Sequence, residues 1–125
     1  MSDNSLPRVE RLRSLTAIRR LFDEGESGFV YPFRYMFRRD SEEQGGAEVL
    51  FSVPKKYHKR ANKRNLLKRR SREAYRLNKS ELQRVLAERG VALDLAIVYS
   101  TKDILSYKTI EYAVQRILGQ ICGRL

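Results

Sequence analysis

The chain has 125 residues, room for one domain and one modest core rather than two. Lys and Arg number 26 against 15 Asp and Glu, a formal net charge of +11, while 42% of the residues are apolar, enough to fold and to exclude wholesale disorder. No run approaches the roughly 18–20 uncharged apolar residues of a membrane helix, and the first residues hold no apolar stretch of the secretory kind. Cys122 is the single cysteine, so neither an internal disulfide nor a cysteine zinc cluster can form. The expectation is a cytoplasmic protein with no membrane partner.

Residues 1–8 read as a flexible tail and 9–125 as one domain. Ser14 can cap a helix from about Leu15 to Asp23 that stops at Gly25, with Leu15, Ile18, Leu21 and Phe22 on one face. From Phe29 to Phe37 the period changes to two. Phe29, Tyr31, Phe33, Tyr35 and Phe37 share one parity, and Val30, Pro32, Arg34, Met36 and Arg38 hold the other. A polar turn over residues 40–46 then predicts a hairpin with Glu48–Val53. A basic loop, Lys55–Ala61, leads into a helix from about Asn62 to Leu77. Ser80-Glu81-Leu82-Gln83 has the form of a capping box for a second short helix. Gly90 breaks it, Ala92–Ser100 reads as an apolar strand, and Ser106 caps a last helix with Ile110, Val114, Ile117, Leu118 and Ile121 on one stripe. This order is α+β, a small sheet with helices on one side and a possible βαβ crossover through the basic helix.

The charge is concentrated. Residues 55–76 hold eleven cations and one anion, Glu73, whereas the remainder of the chain is nearly neutral. Like charges at this density repel unless a polyanion is present, so the segment points to nucleic acid, with an acidic protein or a membrane surface as alternatives. On a helical wheel Asn65, Lys68, Arg69, Arg72 and Arg76 fall within about 100°, and Arg64 lies some 40° beyond. Leu66, Leu67, Ala74 and Leu77 fall on the other side. One face can therefore pack while the other offers Arg forks and mobile Lys charges to phosphates. Asn65 can meet a 2′-hydroxyl or a base edge. Glu73 is spaced to hold Arg69 and Arg76. Arg70 and Ser71 project toward the apolar side, where Arg70 can snorkel its head to solvent.

A protein-borne active site is not evident. His58 is the only histidine and lies in the basic loop, where phosphate contact or plain exposure is the expectation rather than general-base work. Cys122 reads as packing, Glu42 and Glu43 as solvated turn residues, and Asp94 as facing solvent or an RNA-bound ion. No carboxylate cluster marks a two-metal nuclease.

The pattern Lys55-Lys56, Arg64-Asn65, Lys68-Arg69 and Arg72-Glu73-Ala74 resembles the signature helix of the bacterial ribonuclease P protein family, written R-N-R-x-K-R-x-x-R-E. Leu66 stands where that signature has its second Arg, and Arg70 and Ser71 stand where it is usually apolar. Arg11-Leu12, Phe22, Gly25, Phe51-Ser52-Val53 and Leu105-Ser106-Tyr107 extend the likeness over about residues 8–121. The resemblance implies an α-β-β-β-α-β-α order with a left-handed βαβ crossover. It also implies the protein subunit of an RNA-based endonuclease that removes the 5′ leader of precursor tRNA. Catalysis would reside in the RNA subunit, with Mg²⁺ bound mainly by that RNA and the substrate, no catalytic residue in the protein, and one protein per catalytic RNA.

By the same resemblance Lys55, Lys56, Arg60, Arg64, Asn65, Lys68, Arg69, Arg72 and Arg76 would contact the catalytic RNA. Ile18, Phe22, Arg34, Met36 and Arg38 would line a cleft for the leader, leaving Phe33 and Tyr35 to the core. The alternatives are a structural, ribosomal-type RNA-binding protein with no role in cleavage, and a DNA-binding domain. The latter fits less well, because strands rather than a helix precede the basic helix and no heptads follow it.

Overall fold

The computed structural model describes residues 10–41 and 45–125, so the expected tail 1–8 and the pair Glu42 and Glu43 lie outside the described residues. The elements are α1 (Leu15–Glu24), β1 (Glu26–Val30), β2 (Phe33–Ser41), β3 (Gly46–Ser52), α2 (Ala61–Asn78), α3 (Ser80–Arg89), β4 (Val91–Tyr99) and α4 (Tyr107–Arg124). The Ser14 hydroxyl accepts from the Ala17 N–H at 3.3 Å and opens α1. Gly25 closes it in extended backbone, its N–H on the Leu21 carbonyl at 2.9 Å, where any Cβ would strike that carbonyl. The expected apolar face of α1 is only partly used. Leu21 is buried and Ile18 half-buried, but Leu15 and Phe22 are exposed.

The long strand expected over Phe29–Phe37 is two strands. Tyr31 and Pro32, joined by a cis peptide bond, form the turn of a hairpin in which Val30 faces Phe33 and Phe29 faces Arg34. A two-residue turn reverses the parity of what precedes it. Phe33, Tyr35 and Phe37 are core, while Phe29 sits on the opposite face with Arg34, and Tyr31 is half exposed at the turn.

The predicted hairpin between this strand and β3 does not form. The sheet order is β1-β2-β4-β3, with β4 antiparallel to β2 and parallel to β3. The reason lies in β4. Leu93, Leu95 and Ile97 are buried on one face and Ala96 on the other. A strand apolar on both faces takes the interior of a sheet, and the one-sided strands flank it. The β3–α2–α3–β4 connection is thus a parallel βαβ crossover carrying the basic helix. The outer edge of β3 is partly covered by residues before α1, where the Leu12 N–H donates to the Val49 carbonyl at 3.0 Å.

Helices pack on both faces of the sheet, not on one. The larger core joins Phe33, Phe37, Val49, Leu95 and Ile97 to Leu67, Ala74 and Tyr75 of α2, Leu82 and Leu86 of α3 and the whole expected stripe of α4. On the second face α1 covers a smaller cluster of Leu12, Leu21 and Ala96, with Ile18, Met36 and Leu50 packed around it. The capping box at Ser80 is not made. Lys79 ends α2 and caps α3 without a side-chain bond, and the Gln83 N–H reaches the Lys79 carbonyl at 2.9 Å. Gly90 ends α3 at φ 62°, the left-handed region that glycine enters without strain.

Candidate nucleic-acid interface

The buried side of α2 is Leu67, Ser71, Ala74 and Tyr75. This differs from the expected apolar arc, since Leu77 is exposed and Ser71 is buried. Ser71 tolerates burial by donating its hydroxyl to the Leu67 carbonyl at 2.8 Å, one turn back. Arg70 turns its head to the loop that follows β4. It is half-buried and donates through Nη1 to the Leu105 carbonyl at 2.6 Å.

The opposite side carries the strip. Asn65, Arg69 and Arg72 are exposed and Lys68 is half-buried, while Lys55, Lys56, Lys59 and Arg60 are exposed on the loop before the helix. Among the described residues no carboxylate pairs with Lys55, Lys59, Arg60, Lys63, Lys68, Arg69 or Arg72. Lys56 stands with its ammonium 5.0 Å over the Tyr57 ring. Two of the expected contacts are partly committed within the protein. Arg64 donates through Nη1 to the His58 and Lys59 carbonyls at 3.1 and 2.7 Å, which folds the basic loop back on the helix start. Glu73 pairs with Arg76 at 2.8 Å and, among the described residues, not with Arg69.

His58 overturns its expectation. It is neither exposed nor turned outward to a phosphate, being 7% exposed, edge-on to Tyr99, with Nε2 2.9 Å from the Thr101 carbonyl. Nothing local in the sequence signals this, because the partner is 43 residues away.

On the second sheet face, a groove of about 570 Å³ runs between α1 and the β1–β2 hairpin. Phe22, Phe29, Arg34, Met36 and Val98 line it. Phe22 and Phe29 are both about half exposed, a pair of aromatic side chains open to solvent beside the exposed Arg34 guanidinium. Phe29 escaped the sequence reading because the turn at Tyr31-Pro32 reverses its face; the proline inside an alternating run was the signal. Ile18 packs into the α1 cluster rather than lining the groove. Arg38 shares the face but is held by Asp40 at 2.6 Å and Glu24 at 3.4 Å, and hydrogen bonding to Asp40 raises its pKa further.

Beside Arg38 the register aligns Asp94 and Glu48 across the sheet. Burial pushes both carboxyls above their ordinary range, reinforced at Asp94 by Asp40 and at Glu48 by Asp94, against the pull of Arg38 and Arg20 on the first and Arg13 on the second. Asp94 is half-buried rather than plainly solvated. Among the described residues no three His, Cys, Asp or Glu side chains stand together as ion ligands. Cys122 packs half-buried against the main core, as expected.

A four-stranded sheet with a cationic crossover helix on one face and an aromatic-lined groove on the other defines a small α+β protein that presents a concentrated positive surface. Comparison with known proteins narrows this. The family model for ribonuclease P matches residues 6–122. A ribonuclease P protein component from Porphyromonas gingivalis is 40% identical over 96% of this chain and 88% of its own length. One from Chlorobaculum tepidum is 44% identical over 67% of this chain and 57% of its own. The ribonuclease P protein of Thermotoga maritima superposes with a TM-score of 0.69 at 26% identity, over 89% of this chain and 96% of that one. The Staphylococcus aureus protein shares the fold, with a TM-score of 0.72 at 21% identity over 90% and 94%. The chain belongs to the bacterial ribonuclease P protein family. It is thereby a protein component of an endoribonuclease that processes the 5′ end of tRNA together with RNA. No helix among the described residues is long and apolar enough to cross a membrane.

Proposed function

We propose that the outer strip of α2 and the loop before it dock one protein onto one catalytic ribonuclease P RNA, and that the groove beside α1 receives the single-stranded 5′ leader of precursor tRNA, in the cytoplasm. The observation that carries this reading is the run Lys55, Lys59, Arg60, Lys68, Arg69 and Arg72, with which no carboxylate of the described residues pairs. Such a face gains by releasing counterions from a phosphate backbone. Lys55, Lys56, Arg60, Lys68, Arg69 and Arg72 supply point charges and forks to phosphates, and Asn65 supplies a donor and an acceptor to a 2′-hydroxyl. Arg64 acts with the donors its internal partners leave over, and Arg76 adds its charge to the strip. In the groove, Phe22 and Phe29 offer faces for bases, each stack worth about 1–3 kcal/mol, and Arg34 offers charge to the leader backbone. Mg²⁺ would be held mainly by the RNA and the substrate, where it would activate the attacking water.

The test is reconstitution with a bacterial ribonuclease P RNA and 5′-labelled precursor tRNA at low Mg²⁺, with protein-only and RNA-only controls. Cleavage at the mature 5′ end only in the mixture is the expected result; tight RNA binding without stimulation, repeated with the cognate RNA, would make the protein a structural RNA-binding module. Phe22→Ala tests the groove. With the ring half exposed, thermal stability should hold while KM for leader-bearing substrate rises about tenfold. An unchanged KM would remove Phe22 from the leader path.

A further inference from the structure

His58 and Arg70 are polar side chains of the basic segment that turn away from the cationic face, and both end on the same short segment, residues 100–106 between β4 and α4. A carbonyl only accepts, so His58 Nε2 carries the proton it gives to Thr101. Arg70 holds the Leu105 carbonyl at the other end. Tyr99 closes the segment from within: its hydroxyl donates to the Asp103 carbonyl at 2.6 Å and accepts from the Leu105 N–H at 3.1 Å. From the hairpin side, the Tyr31 hydroxyl donates to the Asp103 carboxylate at 2.8 Å.

This pinning places Lys102. It is exposed and stands one residue from the carbonyl that His58 holds, while exposed Lys59 stands one residue from His58 itself. The adjacent carboxylate, Asp103, is turned to Tyr31, and among the described residues no carboxylate pairs with Lys102. Arg64 fixes the facing loop through the His58 and Lys59 carbonyls. The two loops therefore form one edge beside the start of α2.

We propose that segment 100–106 extends the RNA-docking surface from the basic loop 55–60 onto the flank toward which His58 and Arg70 turn, with Lys102 contacting a phosphate and with His58 and Arg70 as positioning residues that hold the segment there. The inference rests on the reading that α2 docks the catalytic RNA. A lysine ammonium reads charge rather than base identity, so the ligand is RNA backbone and the effect is independent of sequence.

The experiment measures binding of the full chain to a bacterial ribonuclease P RNA across a salt series. Lys102→Ala should lower the slope of log affinity against log salt by about 0.7–1, weakening binding several-fold at low salt. In a His58→Leu background, which orphans the Thr101 carbonyl, Lys102→Ala should cost little more, and His58→Gln, which keeps a donor, should restore its effect. If His58→Leu does not fold, Arg70→Met gives the same cycle from the α2 side. Independent, multiplying losses for Lys102 and His58 would overturn the positioning role. Arg72→Ala separates the two readings. Weakening by Arg72→Ala with wild-type slope for Lys102→Ala removes segment 100–106 from the face; no effect of either removes the α2 reading and this inference with it.

Discussion

Tyr75 lies fully buried in the main core, its ring 5.8 Å from that of Phe51 at 66°. Its hydroxyl finds no hydrogen-bond partner among the described residues, and burial drives its pKa well above the ordinary tyrosine value, with Glu10 adding to the shift. An unpaired buried hydroxyl costs about 1–3 kcal/mol, so Tyr75→Phe should raise Tm by several degrees in a thermal melt. Asp94 makes the opposite electrostatic case to a salt-bridged carboxylate. Its folded pKa is raised, first by burial and then by Asp40. The folded state then binds more protons than the unfolded state between the two pKa values, and the stability present below the unfolded value is lost as pH rises through the folded one. Asp94→Asn should therefore be more stable than the parent at neutral pH, the gap closing as pH falls below the carboxylate range; a gap that widens in acid would contradict the sign. Little of this residue-level detail was legible beforehand. The sequence placed Asp94 in a strand and His58 in a loop, but a side chain's surroundings depend on residues tens of positions away.

At the level of elements, helix ends were well read and strand pairing was not. Ser14 and Ser106 each accept from the N–H three residues on, at 3.3 Å, as their spacing before an apolar stripe predicts. Ser106→Ala should cost about 1 kcal/mol and lower Tm by a few degrees without altering the sheet. The α4 stripe is buried at every expected position, because helical periodicity is a local property of one segment. The aromatic run at 29–37 shows the limit. Its parity is also local, yet the turn at Tyr31-Pro32 sends Phe29 and Phe33 to different faces. The alternation was real, but the turn decided which face each half received. Ser80 shows the same limit at a helix start. The continuous path from α2 into α3 puts Lys79 at the cap, and Lys79 Nζ holds Glu10 at 2.6 Å.

Taken whole, the molecule separates its two candidate surfaces by the thickness of a sheet: the cationic strip follows α2 on one side, and the groove lies against α1 on the other. Replacing Lys68 and Arg72 with Ala should weaken binding to the catalytic RNA and lower the salt slope by about 1.4–1.8, each lost phosphate contact removing roughly 0.7–0.9. The groove should keep its leader preference in that double variant, since neither side chain lines it; an altered KM at saturating RNA would mean the surfaces communicate. The sequence by itself determined the concentration of charge in residues 55–76, the amphipathic helices that carry it and pack behind it, and the family signature, because each is written in the order and spacing of neighbouring residues. Only the tertiary structure decided that β4 enters between β2 and β3, that α1 covers the second face, that Phe29 joins Phe22 at the groove, and that His58 and Arg70 turn inward. Those outcomes depend on which distant segments bury the most apolar surface together, and that competition is settled only when the whole chain packs.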